Sequence, residues 1–327
     1  MVKEMSLPYS HLSQHRAKLY GIAALLIIFF HSNSLHWKPL ELFKYGYIGV
    51  DIFLFIGSFC LCYSIQKYKS LREFYLKRFL RIYPIWFVVA ILVPAIETLF
   101  LGGEWNLIRF VKLVYGSFVV LPLYTGRGGL DWFTACLLHL YLLFPLFWWW
   151  SKKFGSVSLY IIMFMMSFLL VSFVPLQLWE RDCCISRIPV FALGIVAYQA
   201  INSNSKILII PLFLSAVGGT ISWMNDYMFL KTAMICPFVV ALLCILFDLT
   251  ARYAIIVRIL SPLEVLGKRS LEAYYGPFHH GVFASFFSAS LWGLTIYVGT
   301  ALFLTYLCSI VNDLLNPVRE YLYNKLR

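Results

Sequence analysis

Long apolar stretches fill most of this 327-residue chain and constrain its fold more than any other feature. About ten of them are long enough to cross roughly 30 Å of hydrocarbon as helices. A helix suits this environment because it makes its backbone hydrogen bonds within the segment. We therefore predict an all-α, polytopic integral membrane protein with about ten transmembrane helices, at residues 19–35, 47–66, 82–101, 132–150, 157–176, 186–202, 206–223, 230–249, 270–288 and 291–312.

The overall composition agrees with a membrane environment. Hydrophobic residues make up 61% of the chain and charged residues only 13%, whereas soluble domains contain about 25% charged residues. A single water-facing core stops growing near roughly 250–300 residues, so it could not bury this much apolar surface. The composition excludes an ordinary soluble globular protein.

The distribution of positive charge predicts the orientation in the membrane. With a cytoplasmic N-terminus, 19 of the 27 lysines and arginines fall in the predicted cytoplasmic segments. Cytoplasmic loops carry such an excess, so we predict that both termini are cytoplasmic (N-in/C-in). The same bias accounts for the formal net charge of +12. No soluble domain with interleaved basic and aromatic residues is apparent, so we expect no nucleic-acid partner.

We expect three parts: a cytoplasmic N-terminal tail (1–18), a transmembrane domain (19–312) and a cytoplasmic C-terminal tail (313–327). No small-residue cleavage site follows the first apolar run, so the first span is expected to stay in the mature protein. The longest outer segment, 102–131, is expected to form a short amphipathic helix at the membrane interface. The eight cysteines show no zinc-site spacing, and we expect no metal.

Ionisable residues within a membrane are energetically costly and are therefore candidates for function. His31 lies about 18 Å beyond Leu19 along the first predicted helix, and Asp51 lies about 6 Å beyond Tyr47 along the second. Because a short outer segment joins these helices, the two side chains are expected at similar depth. Two interpretations stay open: a hydrogen bond between helices, or a catalytic pair.

Arg78 and Arg81 share one helix face at the cytoplasmic entrance of the third span. They either fix the orientation beside anionic lipid headgroups or bind phosphate, since paired arginines suit a phosphate or diphosphate. Other polar positions within the spans are further candidates, with hydrogen bonding or interface anchoring as the alternative role: Trp132, His139, Arg187, Glu272, His279 and His280.

Six motifs occur in an order that resembles membrane acyltransferase family 3, whose members modify bacterial cell-surface sugars. They cover most of the chain and accompany about ten spans and a cytoplasmic N-terminus. The motifs are LYGIAALLIIFFHS (19–32), GYIGVDIFLFIGSF (46–59), YLKRFLRIYP (75–84), WFTACLLHLYLLFP (132–145), RIPVFALG (187–194) and SLEAYYGPFHH (270–280).

The resemblance implies transfer of an acyl group, most simply acetyl, from cytoplasmic acyl-CoA to a hydroxyl of a cell-surface polysaccharide or its lipid-linked precursor. It also implies a multi-pass protein of the inner (plasma) membrane, with acetyl-CoA as donor and no metal. In this interpretation His31 is the general base and Asp51 orients it. The coenzyme would contact Arg78, Arg81 and Tyr83, and the acceptor would contact Trp132, His139, Arg187, Glu272 and His279.

The first span departs from the family pattern. An arginine usually precedes the histidine by eleven residues, but Tyr20 occupies that position here. Arg16 and Lys18 lie close by and could supply the missing charge. In the fourth span, Leu137 and Leu138 stand where some members carry a glutamate.

Two other functions stay open. A glycan or lipid transporter would also have many spans with buried polar residues, but no inverted repeat or matching pair of Gly/Pro-broken spans is apparent. A non-catalytic protein that presents substrate to a biosynthetic complex is consistent with Tyr20. Acyl transfer from acetyl-CoA by the purified protein would distinguish these possibilities.

Overall fold

The computed structural model describes Tyr9 and residues 11–101, 132–173, 184–224, 228–275 and 287–327. All regular structure in these ranges is helical, which confirms the predicted all-α class. Short 3-10 segments lie at Asn33–Leu35, Lys38–Tyr45 and Ile207–Ile209. The α-helices of the described ranges are α1 (Leu12–Ser32), α2 (Ile48–Ile65), α3 (Leu71–Leu101), α4 (Trp132–Phe154), α5 (Ser156–Phe173), α6 (Cys184–Asn202), α7 (Ile210–Met224), α8 (Met228–Thr250), α9 (Ala254–Lys268), α10 (Ser270–Tyr275), α11 (Leu291–Leu314) and α12 (Asn316–Leu326).

Within the described chain, six helical segments are long and apolar enough to cross a membrane, as expected for a polytopic membrane protein. Two shorter apolar helices, Ser156–Leu170 and Ile207–Ile221, coincide with further predicted spans. The count of ten spans and the cytoplasmic position of both termini stay predictions. The expected interfacial helix within 102–131 lies outside the described residues. The six long segments are Leu12–Leu35, Lys38–Ile65, Phe133–Phe154, Cys184–Asn202, Ala233–Thr250 and Leu291–Leu314.

Helix α6 lies in the centre of the bundle, in contact with α2, α5 and α8. Buried residues make up 89% of its apolar segment, compared with 17% for the peripheral α11. Gly194 allows α6 to approach α2, because a Cβ at this position would overlap the Phe55 carbonyl and the Ser58 hydroxyl. The motif RIPVFALG therefore ends in the glycine that permits this close contact.

Helix α1 packs against α2 and α9. Gly49 of α2 and Gly267 of α9 both lie directly against the backbone of α1, where a side chain would not fit. Helix α9 was not predicted, because its charged residues suggested a cytoplasmic loop. One face of the helix packs on α1, while Ile255 and Ile259, one turn apart, are exposed.

Helix α1 begins at Leu12, well before the predicted span. Contacts with α8 hold this extra part of the helix. The Tyr9 hydroxyl donates a hydrogen bond to the Pro237 carbonyl, 2.8 Å away. His11 and His15 each lie 2.8 Å from Oδ1 of Asp248. Part of the predicted N-terminal tail is therefore helical and packed against the bundle.

Helix α12 packs against the first turns of α3, so most of the predicted C-terminal tail is a docked helix. Lys77 Nζ lies 4.6 Å from the centre of the Tyr323 ring, which is a cation–π contact. Arg327 forms an ion pair with Glu73. These two contacts place α12 beside the arginines of α3.

Candidate functional site

A basic pocket of about 530 Å³ opens between the end of α2, the start of α3 and α12. Four cationic side chains contribute to its wall: Lys77, Arg78, Arg81 and Arg319. Glu320 is the acidic residue among the lining side chains of the described chain. Such an excess of positive charge, rich in arginine, suits an anion that carries several phosphate oxygens. The other lining residues are Ser64, Tyr68, Leu80, Asn316, Tyr323 and Asn324.

Arg78 is held in a fixed orientation within this pocket. Its Nη1 donates to the Phe74 carbonyl at 3.0 Å, and its Nη2 donates to the Ser64 hydroxyl. The guanidinium carbon lies 3.9 Å from the centre of the Phe74 ring and 5.0 Å from that of Tyr68. An arginine that is already oriented loses less conformational entropy when it binds an anion.

An inner cavity of about 110 Å³ lies deeper in the bundle. Arg81 lines both this cavity and the basic pocket, so it marks the boundary between them. Most other lining groups are aromatic or apolar, and this environment suits a thin, uncharged chain more than a phosphate. They are Tyr20, Phe53, Gly57, Cys60, Ile82, Phe133, Leu137, Tyr141, Ser270, Leu271 and Tyr274.

Tyr20, the departure from the family pattern, is part of this inner cavity. Its ring stacks on Phe53 with ring centres 5.5 Å apart. Arg16 lies one helical turn before Tyr20, and both side chains interact with the Cys60 thiol. Arg16 therefore places a positive charge beside the cavity, on the same helix face as Tyr20. It lies one turn closer to the basic pocket than position 20, where the family has its arginine.

A third cavity, of about 110 Å³, lies between α3 and α4. Arg78, Tyr83 and Tyr141 line it. Tyr83 is buried and stacks on Phe79 at 4.5 Å between ring centres. Because Tyr141 also lines the inner cavity, the three cavities form one neighbourhood around Arg78 and Arg81.

Asp51 and Arg187 form an ion pair between α2 and α6, with Arg187 Nη1 2.5 Å from Asp51 Oδ1. Both side chains are buried, at 0% and 4% exposure. The Arg187 guanidinium also lies 5.6 Å from the centre of the Tyr47 ring. The sequence had singled out both residues, but they are 136 positions apart and nothing in the sequence indicated that they pair.

The packing register of α1 and α2 differs from the expectation that His31 and Asp51 share one depth. Gly49 lies against Ala23 of α1. Asp51, two residues further along α2, is therefore level with the turn before Ala23, roughly 12–15 Å along the axis from His31. The helices overlap more deeply than the short connection suggested, because glycines let α2 slide close along α1.

His31 is half-buried near the end of α1. Its ring contacts Phe30, with centres 5.2 Å apart, and Phe30 contacts Tyr47. Eleven residues separate His31 from Tyr20, which is about 16 Å along the helix. As far as the described residues define them, none of the three cavities includes His31.

The remaining predicted site residues are distributed over both ends of the bundle. His139 Nδ1 lies 2.6 Å from the Ala135 carbonyl, so a neutral ring would carry its proton there and leave Nε2 as an acceptor. Glu272 accepts a hydrogen bond from Asn312 at 2.5 Å and lies 3.6 Å from Arg269. The side chain of Trp132 and the residues His279 and His280 lie outside the described residues.

One group of potential metal ligands occurs among the described residues: His11, His15 and Asp248. Their nitrogen and oxygen atoms already lie at hydrogen-bond distance of 2.8 Å. They form a hydrogen-bonded contact between α1 and α8, on the N-terminal side of the first predicted span.

The sequence analysis missed the contribution of α12. Arg319 and Tyr323 line the basic pocket, but the last residues were interpreted only as a charged tail. A usable signal was present: NPVREYLYNKL begins with a helix-starting Asn-Pro and places Arg319 and Tyr323 four residues apart, on one face.

Residues 19–312 match the sequence profile of the acyltransferase family 3 domain, described as "Acyltransferase domain". The chain belongs to acyltransferase family 3. Two curated proteins that are similar to this member of acyltransferase family 3 have names that describe acyltransferases. A putative acetyltransferase of Acidianus two-tailed virus (ORF330) is 25% identical over 58% of this chain and 59% of its own length. The acyltransferase MdmB of Streptomyces mycarofaciens is 27% identical over 36% of this chain and 32% of its own length.

The match therefore spans less than two thirds of either relative. No solved structure is significantly similar to the chain.

Proposed function

We propose that this protein transfers an acyl group, most simply acetyl, from acyl-CoA to a hydroxyl of a cell-surface polysaccharide or its lipid-linked precursor. The single observation that carries the proposal is the position of Arg81 between a large basic pocket and a narrow, mostly uncharged inner cavity. Acyl-CoA has the same two-part chemistry, with a phosphate-rich nucleotide at one end and a thin thioester arm at the other. Family membership supports the same reaction class.

The donor would bind with its phosphates against Arg78 and Arg81 and with its arm directed into the inner cavity. Charge-assisted hydrogen bonds to phosphate are about twice as strong as neutral ones. Tyr83 and Tyr141 line the adjoining cavity and would shield the buried part of the donor from water. The basic pocket is at the end of the bundle that the charge bias assigns to the cytoplasm, where acyl-CoA is available.

His31 would act as the general base in this reaction. Its neutral imidazole accepts the proton of the acceptor hydroxyl while the oxygen attacks the thioester carbonyl. A carbon–oxygen bond forms, the carbon–sulfur bond breaks, and the proton held by the His31 imidazolium passes to the leaving thiolate, which restores the neutral base. The acyl carbon has to travel the roughly 16 Å that separate the level of Tyr20 from that of His31.

Asp51 takes a different role from the one its sequence position suggested. Because it is paired with Arg187 and lies two to three helical turns deeper than expected, we infer that it positions Arg187 rather than the His31 ring. Arg187, beside Tyr47, then presents a fixed positive charge on the histidine side of the pair. Acceptor contacts by Trp132, Arg187, His139 and His279 stay predictions. Glu272, bound to Asn312, is better suited to hold α10 against α11.

The test uses the full-length protein, purified in detergent, with acetyl-CoA and a lipid-linked oligosaccharide as acceptor. We expect release of free CoA thiol together with an acetyl mass gain on the acceptor. His31→Asn should abolish both signals while the unfolding temperature stays unchanged. His36→Asn is the matched control, since His36 is exposed and lies on a turn past α1.

Full activity of the His31→Asn variant would refute the role of this residue. Absence of acetyl transfer by the unmodified protein, across several oligosaccharide acceptors, would refute the proposed function. Movement of the lipid-linked glycan across vesicles without acetylation would instead indicate a transporter. Fractionation should find the protein in the inner (plasma) membrane.

A further inference from the structure

We propose that the C-terminal helix α12 is one wall of the donor site and that Arg319 binds a phosphate of the donor nucleotide. This inference rests on the proposed function, because it names a further ligand of the same donor. It assigns a binding role to a segment that follows α11 and lies beyond the matched family domain, residues 19–312.

The position of Arg319 is the first argument. It lines the basic pocket together with Arg78 and Arg81, so α12 and α3 present their cations to one cavity. Its Nη1 donates to Asn316 Oδ1 at 3.1 Å, and its Nη2 donates to the Asn312 carbonyl at 3.3 Å and to the Asn312 side chain. Two asparagines therefore hold the guanidinium in a defined orientation.

An unsatisfied donor is the second argument. The Nε atom of Arg319 is buried and has no hydrogen-bond partner among the described residues. Buried polar atoms in proteins are nearly always paired, and those that are not call for an explanation such as a ligand. A phosphate oxygen from the donor would supply the missing acceptor.

The balance of charge is the third argument. Burial lowers the pKa of Arg319, and the positive charge of Arg81 acts in the same direction, although Glu272 and Asp313 oppose it. Lys77, Arg78, Arg81 and Arg319 line one pocket, so their positive charges repel one another. An anion with several negative charges relieves this repulsion, and coenzyme A carries a diphosphate and a further phosphate on its ribose.

The contacts of α12 with α3 show that this wall is held in place. Lys77 lies over the ring of Tyr323, and Arg327 pairs with Glu73. Tyr68 and Tyr323 add aromatic rings to the pocket lining. Aromatic faces beside arginines are a common environment for a nucleotide base.

The experiment compares two donors on the full-length protein: acetyl-CoA, and acetyl-pantetheine, which has the thioester arm but neither nucleotide nor phosphate. For Arg319→Ala we expect the KM for acetyl-CoA to rise about tenfold, as for loss of a charged hydrogen bond. The KM for acetyl-pantetheine should not change. A purely structural role of Arg319 would weaken both donors alike, and that result, or no change with either donor, would overturn the proposal.

Two further variants serve as controls, and a third can replace Arg319→Ala. Arg258→Ala removes an exposed arginine of α9 that is outside the pocket, and it should leave both KM values unchanged. Arg319→Lys keeps the charge and should recover part of the acetyl-CoA affinity. If Arg319→Ala fails to fold, Arg319→Gln, which can still donate to Asn312 or Asn316, takes its place.

Failure of the proposed function is separable from failure of this inference. If the unmodified protein transfers no acetyl group, calorimetric titration with CoA itself decides the binding question. Weaker CoA binding by Arg319→Ala than by the unmodified protein would support the site. Equal binding, or no binding by either protein, would overturn it.

Discussion

Arg187 donates a hydrogen bond to Asp51 across the interface of α2 and α6, with 2.5 Å between Nη1 and Oδ1. Neither side chain is exposed to more than a few per cent. Removal of one partner from a buried pair leaves an uncompensated charge, which costs about 3–5 kcal/mol. The folded protein therefore tolerates either charge only while the other is present.

We predict that Asp51→Ala and Arg187→Ala each lower the free energy of unfolding by about 3–5 kcal/mol. The double variant should lose clearly less than the sum of the single variants, because it removes both charges together. Unfolding midpoints in detergent would measure this. Additive losses would show that the two residues act independently.

The role of Arg16 can be tested by moving the charge. Arg16→Ala should raise the KM for acetyl-CoA, because it removes a cation beside the inner cavity. Adding Tyr20→Arg to that variant should restore affinity, since it returns an arginine to the usual family position on the same helix face. Lys18→Ala is the control, because Lys18 points instead toward the Phe247 ring. No rescue by the second substitution would contradict this assignment.

Gly194→Ala should destabilise the protein by about 1–3 kcal/mol, the usual cost of overpacking a dense interior. The added methyl group would meet the Phe55 backbone of α2, which cannot move without shifting Asp51 on the same helix. We expect a lower unfolding temperature together with reduced transfer activity. Gly299→Ala is the matched control, because a Cβ there meets open space. Equal stability of the two variants would count against the close α2–α6 contact.

The anchor of α12 should weaken in acid. A hydrogen bond from the Lys69 backbone and the Arg327 side chain hold the pKa of Glu73 below its ordinary value of 4.5. A depressed pKa contributes stability at all pH values above 4.5, and this contribution is lost as the pH falls from 4.5 through the folded-state value. We therefore predict faster protease cleavage near α12 in that acidic range than at pH 7.

The control for this prediction is Glu73→Gln, which removes the titrating group. The difference in cleavage rate between the two pH values should be smaller for its α12, because the carboxylate that pairs with Arg327 is absent at both. If the unmodified protein showed an equally small difference, Glu73 would not be the anchor.

The helical class followed from the apolar runs, because a membrane leaves few alternatives to helices for segments of this length. Helix boundaries followed less well. Helix α1 extends back to Leu12 through contacts with Pro237 and Asp248, which are more than two hundred residues away in the chain. Such contacts leave no periodic trace in the local sequence. Helix α9 was missed because its charged residues were interpreted as a loop, and charge alone does not distinguish a loop from a helix.

For the candidate site, the sequence indicated which residues take part better than it indicated which residues they contact. The spacing of Arg78 and Arg81 indicated a shared face, and both line the basic pocket. The partner of Asp51 could not be predicted, since Arg187 is distant in sequence and the depth estimate assumed a shallow overlap of α1 and α2. The contribution of Arg319 depends on the return of α12 to α3, a tertiary contact between opposite parts of the chain.

Arg81 has a consequence for the membrane as a barrier. A catalyst that passes an acyl group toward the opposite face must contain an opening that protons and sodium could also follow. The guanidinium of Arg81, which lines two adjoining cavities, would repel such cations electrostatically, as arginines do in selective pores. Replacement of Arg81 by a neutral residue would then do more than weaken donor binding. It would also remove an electrostatic barrier to cations from the proposed transfer route.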